Sequence, residues 1–442
     1  MAKDLFAGGR VHGDTAWAEA AGSAKSFLKL ACMNVPFPMN EYGEYVGYQT
    51  DHDTSCRATS AGPLTSRYMT EALERAVLEK KVLILDKTMA FQLLVHQGQT
   101  EGVLCMSREG IQGSGRGLLV LAARHVILAT GGAAGCYYHS VFPKSQTGMS
   151  GMALEAGASG TNLDQWQYGL ASVKFRWNVS GTYQQVLPRY FSVDEQGKER
   201  EFLKEAFENP EEMLYRIFQK GYQWPFDPAK KEGSSRIDLL VYRETAVFGQ
   251  KVYLDYRRNP GGLAEDFGNL HEEAYRYLEN SQALLETPIA RLEKMNPLAI
   301  ELYKSHGIDL YREPLEINVC AQHQNGGISV DKNWQTEIKG LYAAGEAAGT
   351  FGVRRPGGSA LNSAQVGSMW AAEHIAWETE ENLIPEAGFG QRAKKACEKW
   401  MDCFEKLLGE PEQAVHPLRQ RAYFSEKMSA CAAHVREPEQ IR

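Results

Sequence analysis

The sequence predicts an α/β protein with a doubly wound sheet, an inserted α+β domain and a partial helical region at the C-terminal end. Two stretches, "VILATGGAAG" at 126–135 and "GLYAAGEAAG" at 340–349, each predict an apolar strand that ends in a glycine-rich turn. Between them, residues 166–300 are rich in aromatic and charged side chains, with prolines and glycines that mark loops around short helices. This order indicates one domain inserted between two parts of another.

The first part of the sheet domain is predicted at residues 1–165. Within it, "TSRYMTEALERAVLEK" has apolar residues at helical spacing, and "KVLILD" at 81–86 predicts a short strand. The following segments, up to "GLLVLAARHVILATGG", have glycine-bearing turns and predict a small β-meander. The last strand, "HVILAT", is apolar throughout, so we expect burial on both faces, as in a parallel sheet covered by helices.

The remaining domain boundaries follow from the same changes of pattern. The inserted domain is predicted at 166–315, and the second part of the sheet domain at 316–380, where strands and glycine turns return. A helical C-terminal region is predicted at 381–442, because "RAKKACEKWMDCFEKLLG" has apolar residues at helical spacing. A chain of 442 residues is long enough for several domains with sizeable cores.

Composition excludes several classes of protein. The net charge is -7 and no run of lysines or arginines forms a basic stripe, so nucleic acid is not an expected partner. No stretch of ~18 uninterrupted apolar residues predicts a membrane span, and the N-terminal sequence does not resemble a secretory signal. The eight cysteines form no C-x-x-C pair. We therefore expect no metal site and a cytoplasmic protein with reduced thiols.

The two glycine-rich turns are candidate ligand-binding segments. In open α/β sheets, cofactors bind at the carboxyl ends of the strands, where glycines allow close approach to the backbone. Backbone N–H groups there can face a phosphate, and Glu346 could accept hydrogen bonds from sugar hydroxyls. Tight turns without a ligand are the alternative, but "RRPGGSALN" at 354–362 favours a site. We expect the two turns to lie side by side at the ends of neighbouring strands.

Four motifs occur in a fixed order: "ATGG" at 129–132, "HQNGG" at 323–327, "GLYAAGE" at 340–346 and "RPGGSAL" at 355–361. This set resembles the flavoprotein subunits of succinate dehydrogenase and fumarate reductase, with L-aspartate oxidase in the same superfamily. The resemblance covers most of the chain. It implies an FAD-dependent oxidoreductase that transfers hydride between the flavin and a small carboxylate-like molecule. It also implies a capping role for the inserted domain and an electron-transfer protein as a partner.

The resemblance also implies individual roles for residues in the motifs. Glu346 would bind ribityl or ribose hydroxyls, and Ala360 and Leu361 would place backbone groups on the flavin ring. The implied FAD-binding set is Thr130, Gly131, Gly132, Gly345, Glu346, Ser359, Ala360 and Leu361.

The implied catalytic set is Arg355, His323 and Arg189. Arg355 and His323 would hold the substrate carboxylate, which suits the planar fork of an arginine. A buried histidine with a purely structural role is the alternative for His323. Arg189 would supply the proton from the capping domain. Because an arginine has a pKa above 12, Tyr183 and Tyr190 are alternative donors.

The chain also departs from the family pattern at its start. The family opens with a strand, G-x-G-x-x-G and a helix, which hold a pyrophosphate. Here the first residues resemble the part of the family sequence after that unit, so we expect the first βαβ unit to be missing. This expectation predicts an open cleft and weak flavin binding. It leaves a second hypothesis, a truncated, non-catalytic remnant that does not bind FAD.

The predicted substrate site departs as well. In "WQYGLAS" at 166–172, Gly169 and Ala171 stand where the family has a histidine and a threonine, and Phe351 replaces another histidine. Each lost charge-assisted hydrogen bond costs roughly 1–3 kcal/mol. We therefore expect a carboxylate-bearing substrate other than succinate or fumarate.

Overall fold

The computed structural model describes residues 1–50, 53–146, 148–378, 387–409 and 416–441, as a mixed helix-and-sheet protein. The strands are β1 (Tyr48–Thr50), β2 (Asp53–Ala58), β3 (Thr88–His96), β4 (Gln99–Ser107), β5 (Leu118–Ala122), β6 (Val126–Leu128), β7 (Gly160–Thr161), β8 (Trp166–Ser172), β9 (Trp177–Asn178), β10 (Arg189–Val193), β11 (Glu199–Arg200), β12 (Lys251–Asp255), β13 (Leu315–Gln324), β14 (Gly327–Ile328) and β15 (Leu341–Ala343).

The α-helices occur in all parts of the described chain. They are α1 (Ala2–Ala7), α2 (Gly13–Cys32), α3 (Thr65–Glu79), α4 (Ser150–Glu155), α5 (Thr182–Gln185), α6 (Phe202–Ala206), α7 (Pro210–Gln219), α8 (Ser235–Tyr242), α9 (Glu272–Asn280), α10 (Pro288–Met295), α11 (Pro297–Ser305), α12 (Ser359–Glu378), α13 (Phe389–Gly409), α14 (Pro417–Cys431) and α15 (Pro438–Ile441). None of these described helices is long and apolar enough to cross a membrane.

Strands β6 and β15 form a parallel pair, in register from Leu341 opposite Val126 to Ala343 opposite Leu128. The carboxyl ends of parallel strands meet at the same edge of a sheet, so the two glycine-rich turns lie side by side. The expected juxtaposition is confirmed. Burial of the first strand on both faces is not, because Leu128 is buried while Ile127 remains 38% exposed. Successive side chains of a strand point to opposite faces, and in β6 only one face is covered well.

The predicted helix and meander are present, but the short strand between them is wrong. Helix α3 covers 65–79, and β3, β4 and β5 form an antiparallel three-stranded sheet. Residues 82–85 of "KVLILD" are in no strand, and all four apolar side chains are exposed. An apolar run forms a strand only where another strand completes its hydrogen bonds. In the part of the chain that the structure describes, no strand pairs with this segment.

The inserted segment is built on a six-stranded antiparallel sheet in the order β11-β10-β12-β13-β8-β9. Helices α5 to α11 surround it, and their apolar faces bury a large core that includes Phe202, Phe218, Tyr256 and Tyr303. Strand β13 belongs to this sheet through residue 324, although the predicted domain boundary lies at 315/316. The sheet therefore continues directly into the "HQNGG" motif, and the exact domain division stays a prediction.

The helices outside the inserted segment make different contacts. Helix α2 lies against α12, where Gly22 faces Val366, Met369 and Trp370. Helix α13 contacts the meander through an Arg392–Glu101 ion pair and a Trp400–Gln92 hydrogen bond of 2.6 Å. The C-terminal end of α14 reaches the six-stranded sheet, because the hydroxyls of Tyr137 and Tyr168 both donate to Ala432 O.

Candidate functional site

The two glycine-rich turns are joined by the carboxylate of Glu346. This carboxylate accepts the backbone N–H of Gln324 at 2.7 Å and that of Gly132. A Cβ atom at position 132 would lie 2.4 Å from Glu346 Oε1, so only glycine leaves room for the carboxylate. Gly131 has a φ of +71°, and a Cβ there would lie 2.3 Å from the Gln146 side chain. Contacts within the chain therefore explain why both positions are glycine, in addition to the flavin that the resemblance implies.

Gln324 connects the six-stranded sheet to both turns. Its backbone N–H binds Glu346, and its side-chain Oε1 accepts the N–H of Ala133 at 2.8 Å. The turn after β6, the turn after β15 and the end of β13 therefore form one hydrogen-bonded unit. Gln324 was not predicted from the sequence, because a glutamine in a strand carries no pattern that distinguishes this role from a surface position.

Arg355 and Arg354 have different surroundings. Arg355 is 8% exposed, and it donates from Nε to Gln167 Oε1 at 2.9 Å and from Nη1 to Pro356 O at 3.0 Å. Arg354 is exposed and pairs with Asp227 at 3.4 Å. Gln167 lies in β8 directly opposite His323 in β13. The structure therefore brings Arg355 and His323 together around Gln167, a residue that the sequence motifs did not identify.

His323 is buried, and its neighbours define its tautomer. Asn325 Nδ2 donates to Val353 O at 2.9 Å, so Asn325 Oδ1 is the acceptor for His323 Nδ1 at 3.1 Å. Nδ1 then carries the hydrogen, and Nε2 has a lone pair. The ring of Phe351 meets the imidazole edge-on at 4.8 Å. Burial, together with the positive charge of Arg355, lowers the pKa of His323 well below its ordinary value. The imidazole is therefore neutral at neutral pH.

Two buried nitrogens beside Arg355 have no hydrogen-bond partner among the described residues: Gln167 Nε2 and His323 Nε2. An unpartnered buried polar atom costs roughly 1–3 kcal/mol. The amide nitrogen of Gln167 is a donor that lacks an acceptor. An anion at this position would receive hydrogen bonds from a group that is otherwise unpaired.

Two carboxyl groups share this region with Arg355: Glu19 is buried and Glu346 is half-buried. Burial raises the pKa of Glu346 to about 7 and that of Glu19 to about 7, and the charge of Arg355 opposes both shifts. Glu19 lies in α2 and accepts a hydrogen bond from Asn362 at 3.1 Å. Glu19 was not predicted from the sequence, because Asn362 is far away along the chain.

The first turn of α12 contains Ser359, Ala360 and Leu361. Ser359 Oγ donates to Pro356 O at 2.7 Å. Ser359 and Leu361 line a cavity of about 500 Å³, together with Gly357 and Gly358. Gly345 has a φ of +65° in the turn after β15.

These residues fit the FAD that the resemblance implies. The first N–H groups of a helix have no partner within the helix, Thr130 Oγ1 is buried without a partner among the described residues, and Glu346 is only partly covered. Together they provide donors and acceptors for a polar cofactor. A cluster of three or more metal-binding side chains does not occur within the described ranges.

The structure does not place Arg189 with Arg355 and His323. Arg189 forms ion pairs with Glu199 at 3.0 Å and Glu201 at 2.6 Å. It lies opposite Asp255, one position beyond the Leu254–Leu315 pair. From Leu315 to His323, strand β13 extends roughly 25 Å. The alternative donors Tyr183 and Tyr190 are buried, and their hydroxyls donate to Ala299 O and Gln184 Oε1.

Comparisons with known proteins agree on one family. Residues 1–361 match the model of the FAD binding domain family. An L-aspartate oxidase of Mesorhizobium japonicum is 24% identical over 78% of this chain and 58% of its own length. A fumarate reductase (CoM/CoB) chain of Methanothermobacter marburgensis is 25% identical over 69% of this chain and 48% of its own length. The chain thus spans about half the length of these curated relatives.

Solved structures show the same fold. A structure of quinol-fumarate reductase with menaquinol molecules has a TM-score of 0.71 at 21% identity, covering 98% of this chain and 69% of that chain. Mycobacterium smegmatis Sdh1 in complex with UQ1 has a TM-score of 0.67 at 18% identity, covering 100% of this chain and 68% of that chain. The family model covers far more than half of the chain, and the glycine turns fit the cofactor. The protein therefore belongs to the FAD binding domain family, and its cofactor is FAD.

Proposed function

We propose that the protein is an oxidoreductase whose substrate is a small carboxylate other than succinate or fumarate. The observation that carries this proposal is the pair of buried nitrogens, Gln167 Nε2 and His323 Nε2, that lack partners among the described residues and lie beside the guanidinium of Arg355. A cation next to an unused hydrogen-bond donor is suited to a carboxylate. FAD, when bound, supplies the hydride exchange with the carbon next to that carboxylate.

Arg355 is the anchor in this proposal. Arg355 is buried, and two of its hydrogen bonds go to the neutral oxygens of Gln167 and Pro356. Hydrogen bonds from an arginine to a carboxylate are shorter and stronger than those to neutral acceptors. A substrate carboxylate that accepts from Arg355 and from Gln167 Nε2 is therefore held in one orientation before the reaction. Such preorganisation lowers the barrier for the chemical step.

His323 responds to the arrival of the anion. In the free protein the imidazole is neutral, since burial and the charge of Arg355 disfavour its protonated form. A bound carboxylate offsets the charge of Arg355 and raises the pKa of His323. Nε2 then takes up a proton and donates it to the carboxylate in a hydrogen bond. Binding is coupled to proton uptake, so we expect carboxylate affinity to fall as the pH rises through the pKa that His323 has in the complex.

The change Arg355→Ala tests the anchor. It removes the buried charge but none of the glycine turns, so we expect turnover to fall by about 100-fold or more with flavin content nearly unchanged. The measurement uses purified protein, reduced methyl viologen as electron donor and a panel of unsaturated carboxylates. Arg354→Ala is the matched control, because Arg354 is the neighbouring arginine in the sequence but is exposed and pairs with Asp227 instead of Gln167. If Arg355→Ala strips the flavin and activity falls only in proportion, Arg355 is a cofactor or structural residue.

A non-catalytic remnant without FAD is the second candidate. The observation in its favour is that the parallel sheet has only two strands, β6 and β15, within the described residues. Visible flavin absorption of the purified protein distinguishes the candidates. A protein that takes up no added FAD contradicts the oxidoreductase proposal.

A further inference from the structure

A second cavity, of about 700 Å³, lies on the capping side of the Gly357–Gly358 turn. Gly357 and Gly358 line both this cavity and the 500 Å³ cavity beside α12, so the two spaces meet at the turn that follows Arg355. A cavity of this size accommodates a ligand much larger than a four-carbon acid.

Aromatic rings form much of the wall of the larger cavity. They belong to Tyr48, Trp177, Tyr183, Phe218, Tyr222, Trp224 and Tyr277. The hydroxyls of Tyr183, Tyr222 and Tyr277 are already engaged: Tyr183 donates to Ala299 O, Tyr222 to Glu273 and Tyr277 to Gln185. Because these polar ends have partners, the rings offer mainly apolar surface to a ligand.

The wall is also held in place. The ring of Trp177 stacks on Phe175 with an interplanar angle of 10°, and Phe175 stacks on His306 at 3.7 Å. The buried Lys220 donates to Trp224 O at 2.8 Å and pairs with Asp238 at 2.7 Å. Aromatic side chains fixed in this way gain energy from a second ring without losing further freedom.

The charges at the wall do not favour a second carboxylate. The lining residues include one cation, Arg176, and one anion, Glu273. Arg176 donates to the carbonyl oxygens of Phe142 and Tyr138, and Glu273 accepts from the hydroxyls of Tyr215 and Tyr222. Their charges cancel, so the larger cavity favours an uncharged group.

We propose that the substrate is a monocarboxylic acid that carries an aromatic ring. The ring lies in the larger cavity against Trp177, and the carboxylate is held at Arg355. This inference rests on the proposed function for the position of the carboxylate, but the ring site rests on the cavity alone.

Isothermal titration calorimetry with three acids tests the ring site: 3-phenylpropionate, propionate and succinate. The FAD-loaded protein is titrated first, and the FAD-free protein is titrated in the same way. We expect 3-phenylpropionate to bind at least about tenfold more tightly than either other acid. The ratio to propionate isolates the ring, because both acids have one carboxylate. Equal affinities, or a preference for succinate, would overturn the proposal.

Trp177→Leu should remove most of the preference for 3-phenylpropionate over propionate, and Trp177→Phe should retain it. Trp377→Leu is the matched control, since Trp377 is 90% exposed in α12 and should leave the ratio unchanged. An unchanged ratio in Trp177→Leu would refute the ring site. Arg355→Ala should weaken both monocarboxylates equally. If it leaves both affinities unchanged while Trp177→Leu still lowers the ratio, the proposed function fails and the ring site stands.

Discussion

At the scale of single residues, the buried carboxyl of Glu19 makes the stability of the fold depend on pH. Its side chain is 1% exposed, and burial raises its pKa from 4.5 to about 7. Between these two pH values the folded state holds a proton that the unfolded chain has lost, so stability falls as the pH rises through this range. Below about 4.5 both states are protonated and the effect disappears. The carboxyl therefore destabilises the fold most strongly in neutral and alkaline solution.

The change Glu19→Gln should remove this pH dependence. We expect its free energy of unfolding to exceed that of the wild type by about 1–3 kcal/mol near pH 8, and the difference to shrink towards pH 5. Urea unfolding at several pH values measures it. Glu373→Gln is the control, because Glu373 lies in an exposed pair with Lys25. A stability difference that is the same at every pH would contradict the prediction.

At this scale, the sequence motifs pointed to part of the candidate site. Arg355, His323 and Glu346 follow from the resemblance, and the structure brings them into one region. Gln167, Gln324 and Asn325 act through partners on other segments, which only the fold identifies. For Arg189 the sequence match was loose. The structure shows this arginine ion-paired with two glutamates, far from His323 along the sheet.

At the scale of elements, the contact between α2 and α12 depends on a glycine. A Cβ at position 22 would lie 2.7 Å from a methyl group of Val366 and 3.2 Å from Met369. Glycine within a helix is about 1 kcal/mol less favourable than alanine, but the close approach offsets this cost. The helices therefore meet more closely at Gly22 than alanine allows.

We expect Gly22→Ala to destabilise the protein by about 1–3 kcal/mol, despite the better helix propensity of alanine. Thermal unfolding followed by circular dichroism measures this effect. Gly13→Ala in the same helix is the control, since a Cβ there meets nothing within 4 Å. If Gly22→Ala instead stabilises the protein, α12 can move away from the added methyl group without a loss of packing energy.

Periodicity predicted these elements with uneven success. The 3.6-residue pattern of α3 and the glycine-bearing turns of the meander depend on local sequence, so these elements were predicted correctly. "KVLILD" has the composition of a strand, but its exposed residues lack a neighbouring strand among the described elements. A strand depends on its partner, and local sequence does not report the partner.

At the scale of the whole molecule, α13 is attached to the meander by few contacts. Arg392 Nε donates to Glu101 at 2.8 Å, and Glu101 is 5% exposed. Apart from Ala393, no side chain of α13 is buried in the described structure. The position of this helix therefore depends on the ion pair and on the contacts of Trp400 with Gln92 and Phe91.

Removing this cation with Arg392→Ala leaves the buried carboxylate of Glu101 without its partner in α13. We expect a loss of about 1–3 kcal/mol in the free energy of unfolding, measured in urea. Lys394→Ala, which removes only an exposed pair with Glu398, should have almost no effect. Equal losses in the two variants would show that Glu101 does not depend on α13.

Strand β13 limits how the molecule can move. It is bonded to β12 at one end and to β8 along most of its length, and Gln324 at its tip binds both glycine turns. A strand paired in this way does not bend freely, so we expect no hinge at 315/316, the predicted domain boundary. We also expect the six-stranded sheet and the two glycine-rich turns to move together. Amide hydrogen exchange along 316–324 should therefore be slow and should report the opening of the whole core.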